Sequence, residues 1–184
     1  GIFGYGYTTG YVSMTNLVSN TGVVGTDVTG VGTARRYSAA CEYGGDKGIF
    51  GFGLVTPTSY SLTNLVSNTG VVATDVTGVG TARYGLAACG YGGDKGIFGF
   101  GSTGSAVGMT NLVSNAGVVA TDVTAVGTAR MYIAATQYDS DKGIFGFGGE
   151  FSAATNLVSN VGVVGTDVTG VGTARNNIAA CSFN

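Results

Sequence analysis

The sequence contains no His and no Trp, a single Pro and three Cys, and only 10% of its 184 residues are charged. Without His, Ser-His-Asp and Cys-His nucleophilic mechanisms are excluded, and the commonest general base and metal ligand is missing. Eight Lys and Arg against ten Asp and Glu give a net charge of −2, which leaves no basic face for phosphate backbones, so nucleic acid is not an expected partner. No apolar run approaches the roughly 20 residues of a membrane helix. No basic n-region followed by an apolar h-region opens the chain, so membrane insertion is not expected. The chain begins at Gly1 without Met, as expected of a processed product or an excised portion, and this carries no information about export.

What is present is apolar and rich in glycine: 44% hydrophobic residues, ten Tyr, nine Phe and 35 Gly. Such a chain is too apolar for a disordered linker. Val, Ile, Phe and Tyr alternate with Gly in short runs, a strand-and-turn composition that predicts an all-β fold.

The strongest signal is an internal repeat. The tetrapeptide Gly-Ile-Phe-Gly begins at Gly1, Gly48, Gly96 and Gly143; Thr-Asn-Leu-Val-Ser-Asn begins at Thr15, Thr63, Thr110 and Thr155; Thr-Ala-Arg begins at Thr33, Thr81, Thr128 and Thr173. The unit is about 47 residues long, and its variable part lies almost wholly between the Gly-aromatic-Gly triplet and Thr-Asn-Leu.

Each unit reads as four strands. Tyr84–Tyr91 and Gly96–Gly101 flank a tight Gly-Gly-Asp-Lys turn, a hairpin signal. Met109–Asn115 and Val118–Thr124 flank a second turn containing Asn and Gly, which supply positive φ. Four antiparallel strands recurring without helical periodicity predict propeller blades. The expected architecture is a four-bladed β-propeller over residues 1–184, with blades at about 1–30 plus 176–183, 36–77, 84–124 and 131–169. Pairing of Asn176–Phe183 with the N-terminal strand would close the ring and abolish an open edge. The alternative is half of an eight-bladed ring, or a longer array. The small residues Ser38-Ala-Ala-Cys41, Leu86-Ala-Ala-Cys89, Ile133-Ala-Ala-Thr136 and Ile178-Ala-Ala-Cys181 suit a crowded innermost strand, and the repeated Phe residues fill the space between blades.

An Arg after the inter-blade loop, a hairpin ending in aromatic-Gly and an outer hairpin together make the unit resemble a kelch-type repeat in all four copies. It departs from that pattern in having Gly-Tyr-Gly or Gly-Phe-Gly where a double glycine is usual, and in lacking the outer-strand Trp. The resemblance therefore implies a blade type and carries over no ligand site. Uniform repeats of this wording are also similar to those of phage and environmental microbial structural proteins, which implies an extracellular or virion-surface location.

Two sets of side chains are candidates for function. Asp27, Asp75, Asp122 and Asp167 recur once per unit, as do Arg35, Arg83, Arg130 and Arg175 eight residues later. They could ring an ion or an acidic sugar, but an ion pair or turn cap locking each inter-blade loop is the simpler expectation. Tyr7, Tyr11 and Tyr60, near the variable loop, are candidates for a surface contact. Asp46, Asp94 and Asp141, each followed by Lys, read as hairpin-turn charges rather than a Ca²⁺ loop. Cys41, Cys89 and Cys181 share one repeat position with Thr136 and read as small buried residues, not as a metal site or a disulfide framework. No catalytic residue, cofactor or metal is expected. Glycosidase-type catalysis needs two carboxylates in different environments, whereas repetition gives these four nearly the same one. The composition and repeat predict a non-enzymatic, self-associating structural protein such as a virion-fibre or extracellular-filament component; the alternative is a multivalent lectin-like module binding surface glycans.

Overall fold

A computed structural model describes residues 1–124 and 126–183. The fold is all-β, with eleven strands among the described residues: β1 (Ile2–Tyr7), β2 (Tyr11–Leu17), β3 (Ala39–Tyr43), β4 (Lys47–Val55), β5 (Thr58–Val66), β6 (Ala87–Tyr91), β7 (Lys95–Gly99), β8 (Thr110–Val113), β9 (Ala134–Tyr138), β10 (Lys142–Gly146) and β11 (Thr155–Val158). They form a two-stranded antiparallel sheet, β1–β2, and three three-stranded ones, β3–β4–β5, β6–β7–β8 and β9–β10–β11.

The expected first hairpin is present in each complete unit. Register is fixed across it, with Cys41 opposite Ile49, Cys89 opposite Ile97 and Thr136 opposite Ile144. The expected outer strand is reduced to isolated bridges, such as Val113 with Val119 and Thr110 with Val123. Between them the side chain of Asn111 intrudes, donating from Nδ2 to Ala120 O at 3.0 Å. A side chain that takes a carbonyl otherwise available to the ladder interrupts regular pairing. The same intrusion recurs at Asn64 and Asn156.

The Gly-aromatic-Gly triplet is bent. Tyr5, Phe52, Phe100 and Phe147 all have φ between 62° and 63°, an unusual conformation for a bulky residue. Register slips at this point in the first two sheets, between Gly4 and Gly6 and between Gly51 and Gly53. The bulge turns the ring of Phe52 or Phe100 toward the next sheet, where it meets Phe98 or Phe145 at 5.2 Å between centroids.

Glycine permits this stacking. A methyl group on Gly4, Gly51 or Gly99 would lie 2.6–2.9 Å from the ring tip of Phe50, Phe98 or Phe145 of the following sheet. The cores accordingly lie between sheets: Phe52, Phe98, Phe100 and Phe145 are fully buried.

The expected closure of the chain is not formed among the described residues. β1 has β2 as its ladder partner, and residues 176–183 belong to no sheet. A main-chain column links successive units: Gly85 N–H donates to Tyr37 O, Tyr132 N–H to Gly85 O and Asn177 N–H to Tyr132 O. Asn177 thus continues the progression beyond the fourth sheet, and Phe183 is left 97% exposed.

Candidate functional site

The arginines of the Thr-Ala-Arg motif lie between successive sheets. Arg35, Arg83 and Arg130 are buried to within 1% of complete, which demands that their five N–H donors find partners. Arg83 donates through Nε to Phe100 O at 2.8 Å, through Nη1 to Thr81 O at 3.1 Å and through Nη2 to Asn111 Oδ1 at 2.6 Å. Its guanidinium carbon stands 4.2 Å from the ring centroid of Phe52 in the preceding sheet. Arg35 repeats the arrangement with Phe52 O, Thr33 O and Asn64 Oδ1, over Tyr5. Arg130 donates to Ala154 O and Asn156 Oδ1, over Phe100, and leaves its Nε unpartnered.

The carboxylates close the same network from the far side. Asp75 accepts from Thr33 N at 3.0 Å, Thr33 Oγ1 at 2.7 Å and Asn64 Nδ2 at 2.9 Å. Asp122 does so from Thr81 and Asn111, and Asp167 from Thr128 and Asn156. Arg35 and Asp75 approach to 3.9 Å, and Arg83 and Asp122 to 3.8 Å. Sequence spacing pairs each Asp with the Arg eight residues later; in space Arg35 and Arg83 meet the Asp of the following repeat instead. The Asp is held by the Thr two residues before that Arg, a link of about 40 residues across the joint.

Burial pushes the carboxyls of Asp75 and Asp122 upward, but hydrogen bonds from Thr33 and Asn64, or Thr81 and Asn111, outweigh it and hold both below the usual carboxylate value. Asp167 is lowered chiefly by Thr128. Burial lowers Arg83 to about 10 against the pull of Asp122. The carboxylates and guanidinium groups are engaged across the joint, so this network is suited to holding sheets together rather than to binding a ligand.

The ends of the chain break the pattern. Asp27 accepts from Asn16 Nδ2 at 2.8 Å and has no threonine donor. Arg175 donates to Thr173 O at 2.9 Å and covers Phe147 at 4.3 Å, with no asparagine partner among the described residues.

Two of the three tyrosine candidates come together. Tyr7 and Tyr11 pack edge to face at 5.3 Å, and Arg36 lies 5.2 and 5.7 Å from their ring centroids and 4.8 Å from that of Tyr37. Tyr11 Oη accepts from Thr56 N at 2.9 Å, which lowers its pKa. Tyr60 sits in β5 opposite Gly53 and contributes no ring to this cluster. Arg36 and Tyr37 escape sequence reasoning because the cluster occurs once, whereas the repeat draws attention to what recurs.

Of the remaining candidates, Asp46 and Asp94 pair with the adjacent Lys47 and Lys95 at 2.9 Å, and Lys142 pairs with Asp139 and Asp141. The three cysteines are free thiols. Burial pushes Cys89 up to about 12 and raises Cys41 as well. Among the described residues no group of three or more His, Cys, Asp or Glu side chains could hold a metal ion, and no helix is long and apolar enough to cross a membrane. The chain matches no family model, and comparison with curated proteins yields no match.

Proposed function

We propose that this chain is a non-enzymatic structural protein that assembles with copies of itself, built from propeller-type blades and used in an extracellular filament or on a virion surface. The observation that carries the reading is the repeated joint: Thr, Asp, Asn and Arg side chains that could serve chemistry are instead spent, three times over, on fastening one sheet to the next. A rigid, weakly charged scaffold whose joint side chains are mostly engaged with one another has little left over for catalysis. In a four-bladed ring, 176–183 would lie on β1 of its own chain. In an eight-bladed ring or longer array a second copy would supply that strand, and β1 offers it an edge with no inner neighbour among the described residues.

Electron microscopy of the purified chain without added ligand tests the reading. Closed rings of several copies, fibres or a regular lattice are expected, and dispersed single chains would overturn it.

A lectin-like role is the second reading, favoured by Tyr7, Tyr11 and Tyr37 grouped about Arg36, with Tyr7 and Tyr37 about half exposed. Aromatic faces beside a cation can stack on sugar rings and hydrogen-bond their hydroxyls. Saccharide-array binding that disappears in Tyr7→Ala would support it.

A further inference from the structure

The three joints within the chain are built from the same contacts. At each one a Phe ring seats on a glycine of the preceding sheet: Phe50 on Gly4, Phe98 on Gly51, Phe145 on Gly99. At each, a Thr of the preceding unit donates to an Asp of the next, and an Arg to an Asn. A leucine also covers a turn glycine: Leu17 over Gly70, Leu65 over Gly117 and Leu112 over Gly162.

Every one of these contacts is half-made at each end of the stack. On the first sheet Phe3 is 63% exposed, Asp27 lacks its threonine, Asn16 Oδ1 lacks its arginine, and nothing lies within 4 Å of where a Cβ would stand on Gly22. On the last, among the described residues no ring meets Gly146, Thr173 has no Asp acceptor and Arg175 no Asn acceptor, and Leu157 is 43% exposed. The two sets are complementary member by member.

The strands tell the same story. Among the described residues β1 lacks the inner neighbour that β4, β7 and β10 each possess. Beside it lies a cavity of about 850 Å³ lined by Ile2, Leu17, Cys41, Gly48 and Ile49, among others. Residues Ile178–Cys181 repeat the sequence of the inner strands and are unpaired. In the internal joints Cys41 Sγ packs against Gly96, and Cys89 Sγ against Gly143. Gly48, which faces the cavity, is the glycine that precedes these in the repeat, and no thiol is among its nearest neighbours.

We infer that two copies of this chain join head to tail: residues 176–183 of one pair with β1 of the other, Phe3 seats on Gly146, Thr173 donates to Asp27, Arg175 reaches Asn16, and Cys181 enters the cavity over Gly48. The inference rests on the assembly reading above and specifies the surfaces. The edge is filled by β-augmentation. The interface is heterologous, so it closes into a ring where the rotation permits and otherwise propagates as a filament. A further repeat on the same polypeptide would make the same contacts, so the test uses the 184-residue chain itself.

Phe3→Asp disables the head and leaves the tail intact; Arg175→Glu does the reverse. Both residues are exposed, so each variant is expected to keep the wild-type circular dichroism, while its melting temperature loses only what association adds. By light scattering after size exclusion, the wild type is expected to contain two or more chains, and each variant alone one chain. An equimolar mixture is expected to give a two-chain species and nothing larger, because one working head meets one working tail. Asp27→Ala provides a second head variant expected to behave as Phe3→Asp does. If the wild type is multimeric and the variants remain so, the head-to-tail joint is wrong while the assembly reading stands. A wild type of single chains overturns both.

Discussion

The guanidinium of Arg83 is stacked 4.2 Å from the ring centroid of Phe52 in one sheet while donating to Asn111 Oδ1, at 2.6 Å, in the next. One side chain therefore spans the joint, apolar contact on one side and directed hydrogen bonds on the other. Its planar fork is what allows both.

Arg83→Ala leaves Asn111 Oδ1 and the Phe100 carbonyl buried without donors, and is expected to cost about 3–5 kcal/mol in urea unfolding. Arg83→Lys is expected to recover less than half, because an ammonium cannot reproduce the fork. Arg175→Ala, exposed and lacking the asparagine partner, is expected to change the stability of a single chain by less than about 0.5 kcal/mol.

The Phe–Gly interlock makes a paired prediction. Phe98→Ala is expected to lose about 3–5 kcal/mol by emptying a fully buried site. Gly51→Ala, which forces a methyl group against the Phe98 ring tip, is expected to lose about 1–3 kcal/mol by overpacking. Both are read from denaturation midpoints, and the double variant should lose less than the sum, since removing the ring removes the clash.

Much of this was legible beforehand. The repeat, the inner hairpin and the interstitial role of Phe follow from spacing and the period-2 pattern. The Asp–Arg pairing was not, because four equal spacings cannot say whether an Asp meets the Arg after it or the one in the preceding unit. Only the three-dimensional stagger of one repeat on another decides that. The outer strand is shorter than its composition predicts for a related reason: Val118–Thr124 has strand composition, but the Asn111 side chain competes for its carbonyls. The Arg36 cluster left no periodic trace. Matching sequence at the two ends specifies that they are complementary without specifying that they belong to one chain.

Asp75, Asp122 and Asp167 have pKa values below the ordinary 3.8. A carboxyl lowered on folding contributes stability that is present above the unfolded value and lost as pH falls through the folded one. The melting temperature is therefore expected to hold from neutrality to about pH 4 and to fall below it, within the ordinary carboxylate range. Because these groups are partly exposed the effect is modest. Asp122→Asn should flatten the profile in this acid range, and thermal melts at a series of pH values check it.

Thiol labelling distinguishes the three cysteines. In the single-chain Phe3→Asp variant, exposed Cys181 is expected to react with a thiolate-selective disulfide reagent near pH 8 at least tenfold faster than Cys89, whose buried thiol is raised to about 12. Denaturation should equalise all three. In wild-type assemblies Cys181 is expected to be slowed as well.

The joint contacts connect a residue of one unit to the corresponding place in the next, and each unit carries the same set. Removing one whole unit by recombination between near-identical stretches of DNA would thus bring together two faces that already fit. Gene length could change in steps of one repeat while every fastening survived. A partial unit would leave an Arg without its Asn or a Phe without its glycine. The chemistry of the joint therefore sets the quantum in which such a gene can grow or shrink.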